Sequence, residues 1–131
     1  MCYNNKMLKK ALVVDDNEFV RETIKEMLEF FGFDVAVTES GEDAVKKYIS
    51  SAKLNQPFDI VFIDLVLPGM NGKEVLKKLK EIDPEVKAVI SSGYQNDPAI
   101  REYERLGFKG CLNKPYTLDE LKKILENLNL A

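Results

Sequence analysis

The sequence predicts an α/β domain: a doubly wound, five-stranded parallel sheet with helices on both faces. Three observations carry that expectation. Short apolar runs such as Ala11-Leu12-Val13-Val14 and Ile60-Val61-Phe62-Ile63 lack the polar alternation of half-exposed strands, as parallel strands covered on both faces do. Between such runs lie longer stretches with apolar residues at helical spacing. The two kinds of segment alternate along the chain, which is the pattern of repeated β-α units.

The first strand is Leu12–Val14. A helix follows from about Asn17 to Phe31, where Val20, Ile24, Met27, Leu28 and Phe31 recur at helical spacing, and Gly32 is its natural stop. Phe33, Val35 and Val37 alternate with Asp34 and Ala36, a strand with a more polar face and therefore nearer a sheet edge. Ser40 opens the second helix with Asp43 as its capping-box partner, and Ala44, Val45, Tyr48 and Ile49 form the buried stripe. Ser51–Pro57 is a polar connection, slightly long. The third strand is Ile60–Ile63. After the loop Leu67-Pro68-Gly69-Met70-Asn71-Gly72, residues Val75, Leu76, Leu79 and Ile82 mark a third helix that Pro84 ends. Val86–Ile90 is the fourth strand. Asp97 and Pro98 are an N-cap and first-position proline, opening a weakly amphipathic fourth helix. Phe108–Leu112 is the fifth strand. Thr117 and Glu120 make a capping box for a last helix lined by Leu118, Leu121, Ile124, Leu125 and Leu128.

Right-handed crossovers leave few topologies for five such units, and the compact one is the flavodoxin-like order 2-1-3-4-5. No internal repeat, low-complexity run or second domain is visible. The chain reads as one domain over residues 1–131, with 1–9 a flexible N-terminal tail.

Composition narrows the function. A 131-residue chain with 45% hydrophobic residues suits a single globular core, and no segment approaches the ~20 apolar residues of a membrane span. A net charge of -3 argues against a nucleic-acid-binding surface. The opening Met1-Cys2-Tyr3-Asn4-Asn5-Lys6 lacks the apolar stretch of a signal peptide, so the expected compartment is the cytoplasm, with no membrane partner. Cys2 and Cys111 lie far apart and read as reduced thiols. There is no histidine, which removes histidine acid–base catalysis, histidine metal ligands and a phosphohistidine on this chain.

The chemistry lies at strand ends, where doubly wound sheets collect their functional residues. Asp15 and Asp16 follow the first strand and Asp64 closes the third; the order 2-1-3-4-5 makes these strands neighbours. Two like charges ~4 Å apart repel by about 4 kcal/mol at an effective dielectric of 20. Three converging carboxylates therefore ask for a cation, and their hard oxygen ligands suit Mg²⁺. Ser91-Ser92-Gly93 follows the fourth strand and Lys114-Pro115 the fifth. Taken singly, each has an ordinary reading: a helix cap for Asp15, Asp16 or Asn17, a turn for Asp64, loop chemistry for Ser92, a surface lysine for Lys114. Taken together on five ordered strands they fall on one rim, which the ordinary readings do not explain.

The stretches LVVDDN, FIDLVLPGMNG, VISSGY and LNKPY resemble the receiver domain of two-component response regulators, over about Lys10 to Leu128. The resemblance implies that Asp64 accepts a phosphoryl group from a phosphohistidine on a sensor kinase. It implies Mg²⁺ as cofactor, held directly by Asp16, through water by Asp15, by Asp64 and by the main-chain carbonyl of Val66. Ser92 becomes the switch hydroxyl that bonds a phosphoryl oxygen. Lys114 pairs with Asp64 and then with the phosphoryl group, and the Lys114–Pro115 bond is expected cis. The implied partners are that kinase and a downstream target or phosphotransfer protein.

The chain also departs from the family pattern. Where the family often has a switch aromatic, three residues before the lysine, stands Cys111, which cannot sweep a ring from outside to inside; Tyr94 or Tyr116 are the substitutes in reach. The two positions that tune hydrolysis are Val66 and Tyr94. Other readings compete. An aspartyl-phosphate phosphatase of the haloacid dehalogenase type wants a second acid where Val66 stands. A flavodoxin wants a Ser/Thr/Gly-rich phosphate loop where Asp15 and Asp16 stand. An inactive receiver serving as an interaction module would not need all of Asp15, Asp16, Asp64, Ser92 and Lys114. The expectation is a stand-alone phosphoacceptor rather than an enzyme in the ordinary sense, with a receiver cut from a hybrid kinase, or a phosphorelay intermediate, as the alternative.

Overall fold

The computed structural model describes residues 8–93 and 98–131. The elements run β1 (Lys10–Val14), α1 (Glu18–Phe30), β2 (Asp34–Thr38), α2 (Gly41–Lys53), β3 (Ile60–Asp64), α3 (Gly72–Ile82), β4 (Ala88–Ser92), α4 (Pro98–Arg101), α5 (Tyr103–Leu106), β5 (Gly110–Asn113) and α6 (Leu118–Asn127). The strands form one parallel sheet in the order β2-β1-β3-β4-β5, as the sequence predicts. The strand with the more polar face, β2, is at the edge. Asp97, the expected cap of the fourth helix, lies outside the described residues, as do Cys2 and Tyr94.

Strand alternation sends side chains to two apolar layers. Leu12, Val14, Val61, Ile63, Ala88 and Ile90 pack under α2 and α3 through Ala44, Tyr48, Leu76 and Leu79. Ala11, Val13, Ile60, Phe62 and Val89 pack under α1 and α6 through Ile24, Leu28, Leu121 and Leu125. Each fully buried Leu, Ile, Val or Phe contributes about 1.5–3 kcal/mol of transfer free energy, so these layers hold the sheet ends rigid beneath the rim. The helix stripes are narrower than periodicity alone suggests. Val45 and Ile49 are half-buried, and Ile82 and Leu118 are exposed.

Capping fixes the helix starts. Asn17 accepts from Val20 N, and Ser40 accepts from Asp43 N, so the capping box expected at α2 is reduced to its Ser40 half. Complete capping boxes close α6, through Thr117 and Glu120, and also α3, through Asn71 and Glu74. Each such cap stabilises its helix by about 1 kcal/mol.

Several boundaries correct the sequence reading. Helix α2 runs on through Ser51–Lys53, part of the expected polar connection, and β5 is Gly110–Asn113 because Phe108 N still bonds Tyr103 O at the end of α5. The fourth strand begins at Ala88, not Val86, because Val86 N turns back to Asp83 O at 3.1 Å; it then runs through Ser91, which pairs with Asp64, and Ser92, which pairs with Asn113. The serines are strand residues rather than loop residues. The expected single fourth helix is two short ones, broken at Glu102, whose φ of -115° and ψ of 20° leave the helical region. Gly107, at φ 105°, ends α5 in the left-handed conformation that glycine tolerates.

Candidate functional site

The carboxyl ends of β1, β3, β4 and β5 form one rim, and each supplies a polar group. Asp15 follows β1 directly and is 1% exposed; Asp64 is the last residue of β3 and is 8% exposed. Asp16 is exposed. Carboxylate oxygens from these three residues lie within 4.8 Å of one another, so the sequence-predicted convergence is present. Ser92, the last residue of β4, is fully buried.

Lys114 follows β5. Its backbone N–H donates to Ser92 O at 2.7 Å, tying the end of β5 to the end of β4, and the Lys114–Pro115 peptide is cis. Its ammonium meets both buried acids: Nζ donates to Asp15 Oδ2 at 2.5 Å and lies 3.4 Å from Asp64 Oδ1. The expected pairing with Asp64 is therefore the longer of the two contacts. Asp15 wins because its other carboxylate oxygen is already oriented, accepting from Asn17 N at 2.9 Å. Asp64 has one weaker backbone contact, Val66 N at 3.4 Å from Oδ1.

The Asp64 carboxyl is pushed up to about 6 by burial. Lys114 opposes the shift, Asp15 adds to it, and the Val66 N–H again lowers it. A carboxylate that is costly to ionise beside two others, with one ammonium shared between two of them, has a deficit of positive charge. An all-oxygen donor set without histidine or thiolate is what Mg²⁺ accepts, so these residues fit that ion.

The loop beyond β3 is shaped by close packing. A Cβ at Gly72 would stand 2.6 Å from Asp64 O and 3.1 Å from Leu65 Cα, so only glycine lets α3 start this close to the phosphoacceptor candidate. Leu65 N donates to Ser91 O at 3.2 Å, and Gly72 N donates to Leu65 O at 3.2 Å. Val66 stands between, half exposed at the rim. Cys111 is part-buried against the α2–α3 layer, and burial raises its thiol pKa. Tyr116 is part-buried against the other layer.

Beside the rim, the start of α1 and the segment after Lys114 enclose an apolar groove of about 260 Å³ that includes Phe19, Val20, Met27, Pro115 and Tyr116. Phe19 is 79% exposed. The surplus apolar residues that the sequence shows on α1 are thus partly surface, next to the acidic cluster.

The response regulator receiver domain model matches residues 11–126. The chain belongs to that family. It is 33% identical over 124 residues to the chemotaxis protein CheY of Thermotoga maritima, covering 94% of this chain and 97% of the relative. Among solved structures it superposes on a response regulator receiver domain protein from Clostridium thermocellum with a TM-score of 0.84 and 26% identity, covering 92% and 94% of the two chains. It also superposes on the response regulator TrrA of Thermotoga maritima in complex with Mg²⁺ and BeF, with a TM-score of 0.80 and 29% identity over 92% and 99%. Receiver domains of this kind are phosphoacceptor signalling modules rather than classical enzymes. They bind Mg²⁺ at an acidic pocket and interact with sensor kinases and downstream targets. Among the described residues no helix is long and apolar enough to cross a membrane.

One residue at the rim escaped the sequence reading. Arg21, on α1, reaches back and donates from Nη1 to Asp15 O at 2.9 Å. Periodicity says nothing about it, but a cation this near a helix start is unusual, since it opposes the helix dipole.

Proposed function

We propose that this chain is a Mg²⁺-dependent phosphoacceptor in two-component signalling, in which Asp64 takes a phosphoryl group from a phosphohistidine of a sensor kinase. The observation that carries the reading is Asp64 itself: a buried carboxylate at a strand end, 3.4 Å from Lys114 Nζ and within reach of Asp15 and Asp16. Its oxygen attacks phosphorus, the P–N bond to the imidazole breaks, and the imidazole leaves with the bonding pair. Carboxylates are competent nucleophiles for such transfers, which depend mainly on positioning and charge neutralisation. Asp15, Asp16, Asp64 and the Val66 carbonyl would hold Mg²⁺, which would supply positive charge to the phosphoryl oxygens. Lys114 exchanges part of its contact with the carboxylates for a phosphoryl oxygen, and the Ser92 hydroxyl donates to another. Ser92 and Lys114 are joined through the main chain, so a pull on either moves both strand ends, and protein contacts change. Cys111 leaves no ring to swing at the family's aromatic position, so the output runs through the ends of β4 and β5. Val66 shields the acyl phosphate rather than ordering a water, which favours a long-lived phosphorylated state. The apolar groove beside the rim is the docking surface for the phosphodonor.

The defining test uses acetyl phosphate with Mg²⁺ and intact-mass analysis. One phosphoryl group is expected on the parent and none on Asp64→Asn; an adduct that persists in the variant would place the acceptor elsewhere. The metal assignment has its own readout. A ligand at a hundredfold excess over Kd stabilises the native state by about 2.7 kcal/mol, so saturating Mg²⁺ raises the thermal midpoint of the parent. Asp16→Ala is expected to lose that rise, and an undiminished rise would remove Asp16 from the site.

A further inference from the structure

Asp15 is held at each of its polar atoms. Its N–H donates to Thr38 O at 3.1 Å, and its two carboxylate oxygens accept from Asn17 N and Lys114 Nζ. Those three bonds follow from the sheet edge, the helix start and the shared lysine. The fourth, from Arg21 Nη1 to the Asp15 carbonyl at 2.9 Å, follows from none of them.

The cost of placing Arg21 there is visible. It is the fourth residue of α1, where the helix dipole disfavours a cation. Its side chain is 13% exposed, which removes most of its hydration. Among the described residues its one ionic neighbour, Glu39 Oε2, is 3.8 Å away on a side chain that is 72% exposed, and a pair of that kind contributes little. What the guanidinium does hold is the oxygen of the peptide that links Asp15 to Asp16. That peptide is planar, so fixing its oxygen fixes the plane from which the Asp16 Cα departs. Asp16 is the exposed member of the acidic cluster, and its side chain makes no hydrogen bond or ion pair among the described residues.

We propose that Arg21 is a positioning residue of the metal site: by holding the Asp15–Asp16 peptide it sets the Asp16 carboxylate against those of Asp15 and Asp64. The inference rests on the reading of that cluster as a Mg²⁺ site. It has a sign that a plain charge effect does not share. A bare cation beside the cluster repels a divalent ion, so removing it would tighten metal binding. An orienting cation does the reverse, and its removal loosens the metal. Lysine separates the two, because one ammonium keeps the charge but lacks the planar fork that holds a carbonyl from a fixed direction.

The experiment is a titration with Mn²⁺, which shares the oxygen-rich octahedral preference of Mg²⁺, followed by electron paramagnetic resonance of the free ion in the parent, Arg21→Ala and Arg21→Lys. The parent is expected to bind one ion. Both variants are expected to bind it about tenfold more weakly, the usual scale for losing a partner that orients a ligand, with Arg21→Lys nearer Arg21→Ala than the parent. Thermal midpoints in EDTA report any purely structural role, which would lower stability and leave Kd unmoved. An unchanged or tighter Kd in Arg21→Ala, or full recovery in Arg21→Lys, overturns the proposal. If the parent itself binds no Mn²⁺, the metal reading fails first and takes this inference with it. Should Arg21→Ala not fold, the Arg21→Lys comparison still decides.

Discussion

Asp64→Asn is expected to be more stable than the parent at pH 7.5 in EDTA, and to lose that advantage at pH 4. The reason is the buried carboxyl at the end of β3, whose pKa is pushed up to about 6, chiefly by burial. In the unfolded chain an aspartate titrates near ~3.9. Between those values the folded state binds the proton more tightly. Stability therefore falls as pH rises through that window and stays lowered above it. A displacement of this size corresponds to about 3 kcal/mol at neutral pH, with one pKa unit worth about 1.4 kcal/mol. Asparagine keeps the shape and carries no charge to desolvate, so most of that loss is recovered. Lys114 retains its shorter contact with Asp15. For a chain of this length the gain corresponds to roughly 5–10 °C in Tm. Thermal melts of both proteins at the two pH values decide the matter. A variant less stable than the parent at pH 7.5 would show that the Lys114–Asp64 contact outweighs the desolvation. Saturating Mg²⁺ should narrow the gap, because the roughly 2.7 kcal/mol it adds to the parent is reduced in a variant that lacks one of the three clustered carboxylates.

That destabilising carboxylate is also where the sequence was most readable. Apolar runs that end in Asp15 and Asp64 could be placed at strand ends because a run of buried residues and a handedness rule leave few sheets to choose from. Once β1 and β3 were neighbours, the acidic cluster followed. Lys114 was legible as a rim residue, but its preference for Asp15 was not. That preference depends on the Asn17 N–H holding the other Asp15 oxygen, a contact fixed by the turn into α1 rather than by residue type. The start of β4 was misplaced because Val86 is apolar and buried whether it lies in a strand or in the turn after α3. Pattern cannot separate the two; the bond from Val86 N to Asp83 O does. Arg21 stayed hidden for a related reason. Its role is a bond to a backbone oxygen, and backbone oxygens leave no mark on a sequence. The Thr117–Glu120 capping box was legible from spacing and is present, whereas the Asn71–Glu74 box, which has the same spacing, was missed because those residues read as loop.

Val20→Glu is expected to slow phosphotransfer from the cognate sensor kinase by roughly thirtyfold, since a disrupted interface anchor costs about 2 kcal/mol or more and 1.4 kcal/mol is tenfold. The argument starts from reach. Transfer requires the donor nitrogen, phosphorus and Asp64 oxygen in line and in contact, so the donor protein must cover the rim. The apolar surface beside that rim is the groove between the start of α1 and the Pro115–Tyr116 segment. Phe19, 79% exposed, offers a large side chain at its edge, and Val20 is half-buried in its wall. A helix of the donor laid into this groove would bury both, in the manner of an amphipathic helix filling an apolar cleft. A carboxylate at position 20 would then be desolvated without a partner, close to a cluster that is already acidic. Because Val20 is not one of the fully buried residues under α1, the fold should survive, which a melt can check. Labelling by acetyl phosphate, a donor too small to need the groove, should continue in the same variant. Phosphotransfer profiling against the sensor kinases of the source organism identifies the donor, and a time course with parent and variant then measures the rate. Equal rates in two folded proteins would move the docking surface elsewhere on the rim.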